Sequence, residues 1–292
     1  MRAWLLGPAG TVLAERGSDD GASRLVGGAP VFAAALQALA GDWLAQRLPA
    51  IACGMVGSAH GWREARYATC PAALAELHRH TVKVDTPAGT PLHIVPGLLD
   101  EPASGTPDVM RGEETQLAGL LALDPARTAH ATVLMPGTHS KWVRLQDGRV
   151  QGFRTRITGE LYAVLRQHSV LGRLMPATDD GIEHAEAFDA GVAAARGSAG
   201  ADLGAQLFAV RTLGLTGRLR AESLPDYLSG LLIGHELAAG LHPGGPPLLL
   251  VGDPALCRRY GRALQAFGVS PAAVHGNTAV AGLWQLARQA NL

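Results

Sequence analysis

The chain has 292 residues, 47% of them hydrophobic and 17% charged, enough apolar material for a large core over one or two domains. Its 25 basic and 25 acidic residues cancel to a formal net charge of zero, and no basic tail or stripe offers a surface for nucleic acid. Three widely spaced cysteines, Cys53, Cys70 and Cys257, form no CxxC pair and predict reduced thiols rather than a disulfide framework. No apolar run reaches the roughly 18 residues of a membrane span. The opening Met1-Arg2-Ala3-Trp4 also lacks the apolar stretch of a signal peptide, so a cytoplasmic protein with no membrane partner is expected.

Residues 2–6 and 11–15 read as two strands joined by a Pro8-Ala9-Gly10 turn. Helical spacing runs from about Val31 to Leu48, with Leu36, Leu39, Trp43 and Leu44 on one face. Ile51 to Met55 is a short apolar run entering a glycine-bearing loop, and Leu92 to Val95 is a further strand ahead of Pro96-Gly97. A helix is predicted from Glu113 to about Leu123. The pattern then restarts with a buried strand at Ala131 to Met135, and Lys141 to Leu145 pairs through Asp147-Gly148 with Val150 to Arg154. Helices near 160–171, 182–195, 202–213 and 222–239 follow. A strand at Leu248 to Val251 and helices near 255–267 and 278–290 close the chain. Strands alternating with helices, twice over, predict an α/β protein of two similar halves with a cleft between them, divided near Pro125 to His130.

Three segments could carry chemistry. In Met135-Pro136-Gly137-Thr138-His139-Ser140-Lys141-Trp142 a strand ends in a Gly-Thr turn. Such a turn can aim N–H groups and hydroxyls at a phosphate, with His139 or Lys141 adding charge; the plainer alternative is a solvated hairpin. In Arg111-Gly112-Glu113-Glu114 two carboxylates stand at a helix start, where one could act as general base, or where both could simply favour the helix dipole. Gly54-Met55-Val56-Gly57-Ser58, followed by Gly61-Trp62, Arg63 and Arg66, could line a ligand pocket with arginines for a carboxylate, or be a buried loop with Trp62 in the core. A Walker-type GxxxxGK[ST], a GxSxG elbow and an HExxH site are all missing from the sequence.

These segments, in this order, resemble the 2-keto-3-deoxygalactonokinase family, as do Ile94-Val95-Pro96-Gly97-Leu98, Thr158-Gly159-Glu160, Leu228-Ser229-Gly230-Leu231-Leu232-Ile233-Gly234 and Asn277-Thr278-Ala279. The resemblance runs from the first residues to the last helix. It implies the two-domain actin-like ATPase (ribonuclease H-like) fold, with a sugar-acid-binding domain at 1–128, a nucleotide-binding domain at 129–292 and an interdomain cleft. It also implies transfer of the ATP γ-phosphoryl group to the 6-hydroxyl of 2-keto-3-deoxygalactonate, with Mg²⁺ and with no metal ligand designated. A catalytically silent binding protein of the same fold and a kinase for 2-keto-3-deoxygluconate remain as alternatives, and a homodimer is left open.

On this resemblance Gly54, Met55, Ser58, Trp62, Arg63, Arg66 and Arg111 lie on the acid side, one of the three arginines holding the substrate carboxylate. Glu113 takes the place of the base, with Glu114 as its rival. Gly137, Thr138, His139, Ser140, Lys141, Thr158 and Gly159 lie on the phosphate side, and Gly252 at the adenosine. Family members resemble a chain that opens with a further strand and an Asp-Trp-Gly-Thr/Ser turn ahead of Arg2-Ala3-Trp4-Leu5. That strand is expected to be missing from the first domain, either through a start assigned downstream of the natural one, the explanation the intact motifs favour, or through a true shortening.

Overall fold

The computed structural model describes residues 1–21, 25, 27–103, 105–177, 183–198 and 201–292. The chain divides into two compact units, Met1–Ala131 with Val143–Phe153 and Asn277–Leu292, and Thr132–Trp142 with Arg154–Gly276. The units are therefore discontinuous in sequence. A stretch of the central strands and the last helix group with the N-terminal segment, whereas chain order alone suggests one cut after residue 128.

In the first unit, β1 (Arg2–Leu6) and β2 (Val12–Gly17) form the expected antiparallel hairpin. Helix α1 (Ala29–Leu44) ends before the expected Leu48: the chain leaves it through a turn in which Arg47 takes a φ of 58°, and Leu48, ahead of Pro49, is disfavoured in helical backbone. Strand β3 (Ala50–Ala52) is also shorter than the apolar run that announced it. Gly54, at φ 86°, turns the chain into a 3₁₀ turn at Met55–Gly57. Six short strands follow: β4 (Ala68–Thr69), β5 (Ala72–Ala73), β6 (Val82–Asp85), β7 (Pro91–Ile94), β8 (Leu98–Asp100) and β9 (Asp108–Met110). With β3, five of them build two three-stranded sheets, β3-β7-β6 and β4-β8-β9, while β5 pairs elsewhere; Ala65, Val84, Leu92 and Ile94 form the heart of one apolar cluster. Helix α2 (Glu113–Leu123) has the predicted bounds, and Asp124 caps the single-turn α3 (Pro125–Thr128).

Strands β10 (His130–Met135), β11 (Ser140–Gln146) and β12 (Arg149–Arg156) contribute residues to both units. Asp147 and Gly148, both at positive φ, make the tight turn that the Asp-Gly pair predicted. The second unit continues with α4 (Thr158–His168), α5 (Ala185–Gly197), α6 (Leu203–Leu215) and α7 (Leu224–Gly240). These are the four expected helices, although the predicted start of the second, residue 182, lies outside the described residues. Strand β13 (Leu248–Val251), helix α8 (Pro254–Ala266) capped by Asp253, and β14 (Ala273–His275) complete the unit. The fully buried β13 runs parallel to β10 and β14 within the order β14-β13-β10-β11-β12-β5. A parallel strand covered on both faces reads as a continuous apolar run, as Leu248-Leu249-Leu250-Val251 does.

Helix α9 (Ala279–Gln289) rejoins the first unit and lies against α2. A side chain at Gly282 would collide with the Thr115 carbonyl, and Thr278 Oγ1 donates to the Gln116 carbonyl at 2.6 Å. The first turn of α2, which carries the paired glutamates, is thus braced by the last helix. Among the described residues no helix is long and apolar enough to cross a membrane.

Candidate active site

Two regions gather the residues singled out by sequence, one in each unit. In the first unit, Gly54 ends the β3 loop and Gly112 opens α2 at φ 109°. A Cβ on Gly112 would stand 3.4 Å from Gly54 Cα, so the two loops touch through positions without side chains. Directly after this contact, Glu113 Oε2 accepts the Arg111 N–H at 3.0 Å. Glu114 Oε2 accepts the Gly112 N–H at 2.6 Å, and its Oε1 accepts the Thr115 hydroxyl at 2.9 Å.

The two glutamates differ in surroundings. Glu114 is fully buried and Glu113 only partly so. Burial first, and the neighbouring Glu113 charge second, push the Glu114 carboxyl up to about 7. The Cys53 thiol beside the pair is driven up to about 12, again by burial and then by Glu114, so it stays protonated. Removing a carboxylate from water costs more than its hydrogen bonds return, which is why Glu114 gives up its proton at higher pH than an ordinary glutamic acid.

Arg111 leads into this turn. Its Nη2 donates to the Ala65 carbonyl at 2.9 Å, and the guanidinium sits 4.4 Å from the centre of the Tyr67 ring. Its Nε and Nη1 are buried and, among the described residues, have no hydrogen-bond partner. Arg63 and Arg66 are exposed. Trp62 is half-buried, stacks on Phe32 at 6.5 Å and packs on the apolar cluster. Met55 is 53% exposed, and the Ser58 N–H is used within the 3₁₀ turn. Sequence reasoning did not place Cys53, Thr115 or Ala65 at the site; none of these residue types advertises one.

In the second unit the Gly137-Thr138 turn lies against the start of α4. A Cβ on Gly159 would come within 2.5 Å of the Gly137 carbonyl oxygen and 2.8 Å of Thr138 Cα, and the Glu160 N–H donates to the Thr138 carbonyl at 3.0 Å. His139 Nε2 pairs with the Glu160 carboxylate at a half-exposed position. Thr138 is exposed, whereas Ser140 and Lys141 are buried. Lys141 Nζ reaches Thr155 Oγ1 at 2.8 Å, and Ser140 Oγ lies 3.1 Å from the Tyr260 hydroxyl. Gly252, at φ 155°, follows β13, and a Cβ there would stand 3.3 Å from the carbonyl oxygen of Pro136, the residue that leads into the turn. The structure therefore brings Gly137, Thr138, His139, Thr158, Gly159 and Gly252 together and turns Ser140 into the core.

Among the described residues no three His, Cys, Asp or Glu side chains are grouped to hold a metal ion.

The model of the family described as 2-keto-3-deoxy-galactonokinase matches residues 1–286. The 2-dehydro-3-deoxygalactonokinase of Escherichia coli (strain K12) is 38% identical over 96% of this chain and 90% of its own length. A Rhizobium meliloti (strain 1021) protein named a probable 2-dehydro-3-deoxygalactonokinase is 38% identical over 99% of this chain and 93% of its own. A crystal structure from Sinorhizobium meliloti, provisionally given the same name, is 38% identical and superposes with a TM-score of 0.82 over 98% of this chain and 94% of that one. The chain belongs to the 2-keto-3-deoxy-galactonokinase family.

Proposed function

We propose that this protein transfers the γ-phosphoryl group of ATP to the 6-hydroxyl of 2-keto-3-deoxy-D-galactonate, giving ADP and the 6-phosphate in the breakdown of D-galactonate. The observation that carries the mechanism is the contrast within the glutamate pair. Glu114 has both oxygens engaged and no exposure, while Glu113 is anchored through one oxygen to the Arg111 N–H and is partly open to solvent. Glu113 is the base that takes the acceptor's hydroxyl proton, and Glu114 fixes the loop that presents it.

Of the three candidate arginines, Arg111 is the one whose buried donors lack acceptors among the described residues. A buried donor left unpaired costs free energy, and a substrate carboxylate would relieve that cost. We assign the acid to the first unit, along Gly54, Ser58 and Arg111, and the triphosphate to the second, at the Gly137-Thr138 turn. There the start of α4 adds N–H groups and a favourable dipole. Phosphoryl transfer passes through a loose transition state, so positioning and charge neutralisation do most of the work; Mg²⁺ bound with ATP supplies part of that neutralisation. The actin-like ATPase fold and a cytoplasmic setting belong to the same reading, the latter supported by three cysteines that are all free.

The test is ADP release coupled to a reporter, with 2-keto-3-deoxygalactonate and 2-keto-3-deoxygluconate in competition. The galactonate epimer is expected to be preferred, since polar groups that pair a substrate hydroxyl reject an epimer that leaves them unpaired. Preference for the gluconate epimer would reassign the acceptor. No release with either would leave a binding protein.

A further inference from the structure

Beneath the Gly137-Thr138 turn lies a polar cluster that the proposed chemistry does not use. Glu236, on α7, is 4% exposed and follows a buried run of leucine, isoleucine and glycine from Gly230 to Gly234. Its two oxygens take two different donors: Trp142 Nε1–H gives to Oε1 at 2.8 Å, and the Tyr260 hydroxyl gives to Oε2 at 2.6 Å. The Arg156 guanidinium lies 5.1 Å from the centre of the Trp142 ring, and its charge partly offsets that of Glu236.

Hydrogen counting fixes the direction of the rest. A phenol has one hydrogen, and Tyr260 has given it to the carboxylate, so its oxygen can only accept. Ser140 Oγ lies 3.1 Å from that oxygen, and the Thr158 side chain is hydrogen-bonded to it as well. Both hydroxyls must therefore point their hydrogens at Tyr260. Ser140 follows the turn by two residues, and Thr158 opens the helix whose Gly159 abuts Gly137 and Thr138. A single phenol oxygen thus holds the two segments that flank the turn.

A buried carboxylate is a costly way to fill a core, because hydrophobic residues of similar volume usually do as well or better. Its retention calls for a task that apolar packing cannot perform, and orienting two hydroxyls is such a task. We infer that Glu236 and Tyr260 are positioning residues that set the Gly137-Thr138 turn in its phosphate-binding shape before nucleotide arrives. This rests on the assignment of the triphosphate to that turn.

The experiment measures ATP affinity by calorimetry for the full chain and for Tyr260→Phe, Glu236→Gln and Val210→Ala. Val210 is a fully buried residue of the separate α6–α7 apolar cluster and serves as the destabilised control. Tyr260→Phe removes one oxygen and almost no volume. It is expected to weaken ATP binding about tenfold, with Glu236→Gln weakening it less because an amide oxygen still accepts one donor. The KM for the sugar acid should stay within about twofold, and Val210→Ala should lower Tm while leaving ATP affinity unchanged. Unchanged ATP affinity in Tyr260→Phe, equal weakening in Val210→Ala, or no ATP binding by the parent chain would each overturn the inference. Intact ATP binding with turnover on a different acid would overturn the acceptor assignment and leave the inference standing.

Discussion

The loop pair around Glu113 and the turn around Thr138 are held in opposite ways. Around Thr138 the supporting side chains pair with one another: Trp142 and Tyr260 give their hydrogens to Glu236, and Ser140 pairs with Tyr260. Around Glu113 the pairing is incomplete. Among the described residues Arg111 keeps two buried donor atoms unpaired, and Glu114 sits in surroundings that press a proton onto it. A satisfied network fixes shape ahead of binding, whereas unsatisfied groups store free energy that a matching ligand releases. On the assignment proposed above, the nucleotide would meet a turn already fixed in shape, and the acid would complete the loops that receive it.

Glu113→Gln would break that contrast most severely. It should cut kcat by about 10²–10⁴-fold while leaving ATP affinity within about twofold, read by steady-state assay and calorimetry together. Next comes Arg111→Lys, which keeps a charge but loses the fork that pairs a carboxylate through two donors. KM for the acid should rise roughly 10–100-fold with KM for ATP unmoved, and a rise in both would show that Arg111 acts on the fold instead.

Glu114 sharpens the comparison through pH. Its carboxyl is raised from an ordinary 4.5 to about 7 in the folded chain. Below 4.5 both states hold the proton and the group is neutral to stability. Between 4.5 and 7 the unfolded chain loses it while the folded chain keeps it, so folding weakens as pH rises, and above 7 the cost is complete. Glu114→Gln should remove this slope and leave the variant more stable than the parent at about pH 8, by on the order of 3 kcal/mol, in Tm measured against pH. An unchanged slope would place the raised acidity elsewhere.

The smallest effect is expected at His139, whose ring pairs with Glu160 where both side chains are about half exposed. A pair so open to water and salt contributes at most about 1 kcal/mol, so His139→Gln should change ATP affinity by less than about threefold. A larger loss would move His139 from the rim of the turn into contact with phosphate.

Much of the fold could be read from periodicity. Strand β13 announced itself as an unbroken apolar run, and α2 as leucines at helical spacing behind two acids, and both have the expected ends. Strands β4, β5, β8 and β9 were not legible, because two or three residues cannot display a period of two. The return of α9 to α2 was hidden for another reason. It depends on Gly119 and Gly282 admitting two backbones to close contact, and pairing of positions so distant leaves no local mark.

At the site, the motifs located the loops but not the side-chain directions. Ser140, Lys141, Trp142 and Val143 are all buried in succession, so strand alternation could not tell that Ser140 turns toward Tyr260. Nor could adjacent glutamates declare which would be buried, since that is set by Thr115 and the loop at Gly112. Glu236 offered an unread signal, a carboxylate shortly after an apolar helical run, where a buried charge demands partners.

The central claim is phosphoryl transfer to the terminal hydroxyl of the acid, and the product itself tests it most directly. The chain would be incubated with ATP, Mg²⁺ and 2-keto-3-deoxygalactonate, and phosphorus NMR with proton coupling would follow the mixture. One phosphate monoester per ADP, coupled to the protons on carbon 6, is the predicted result. ADP formed with free phosphate and unmodified acid, or a monoester at another carbon, would contradict it.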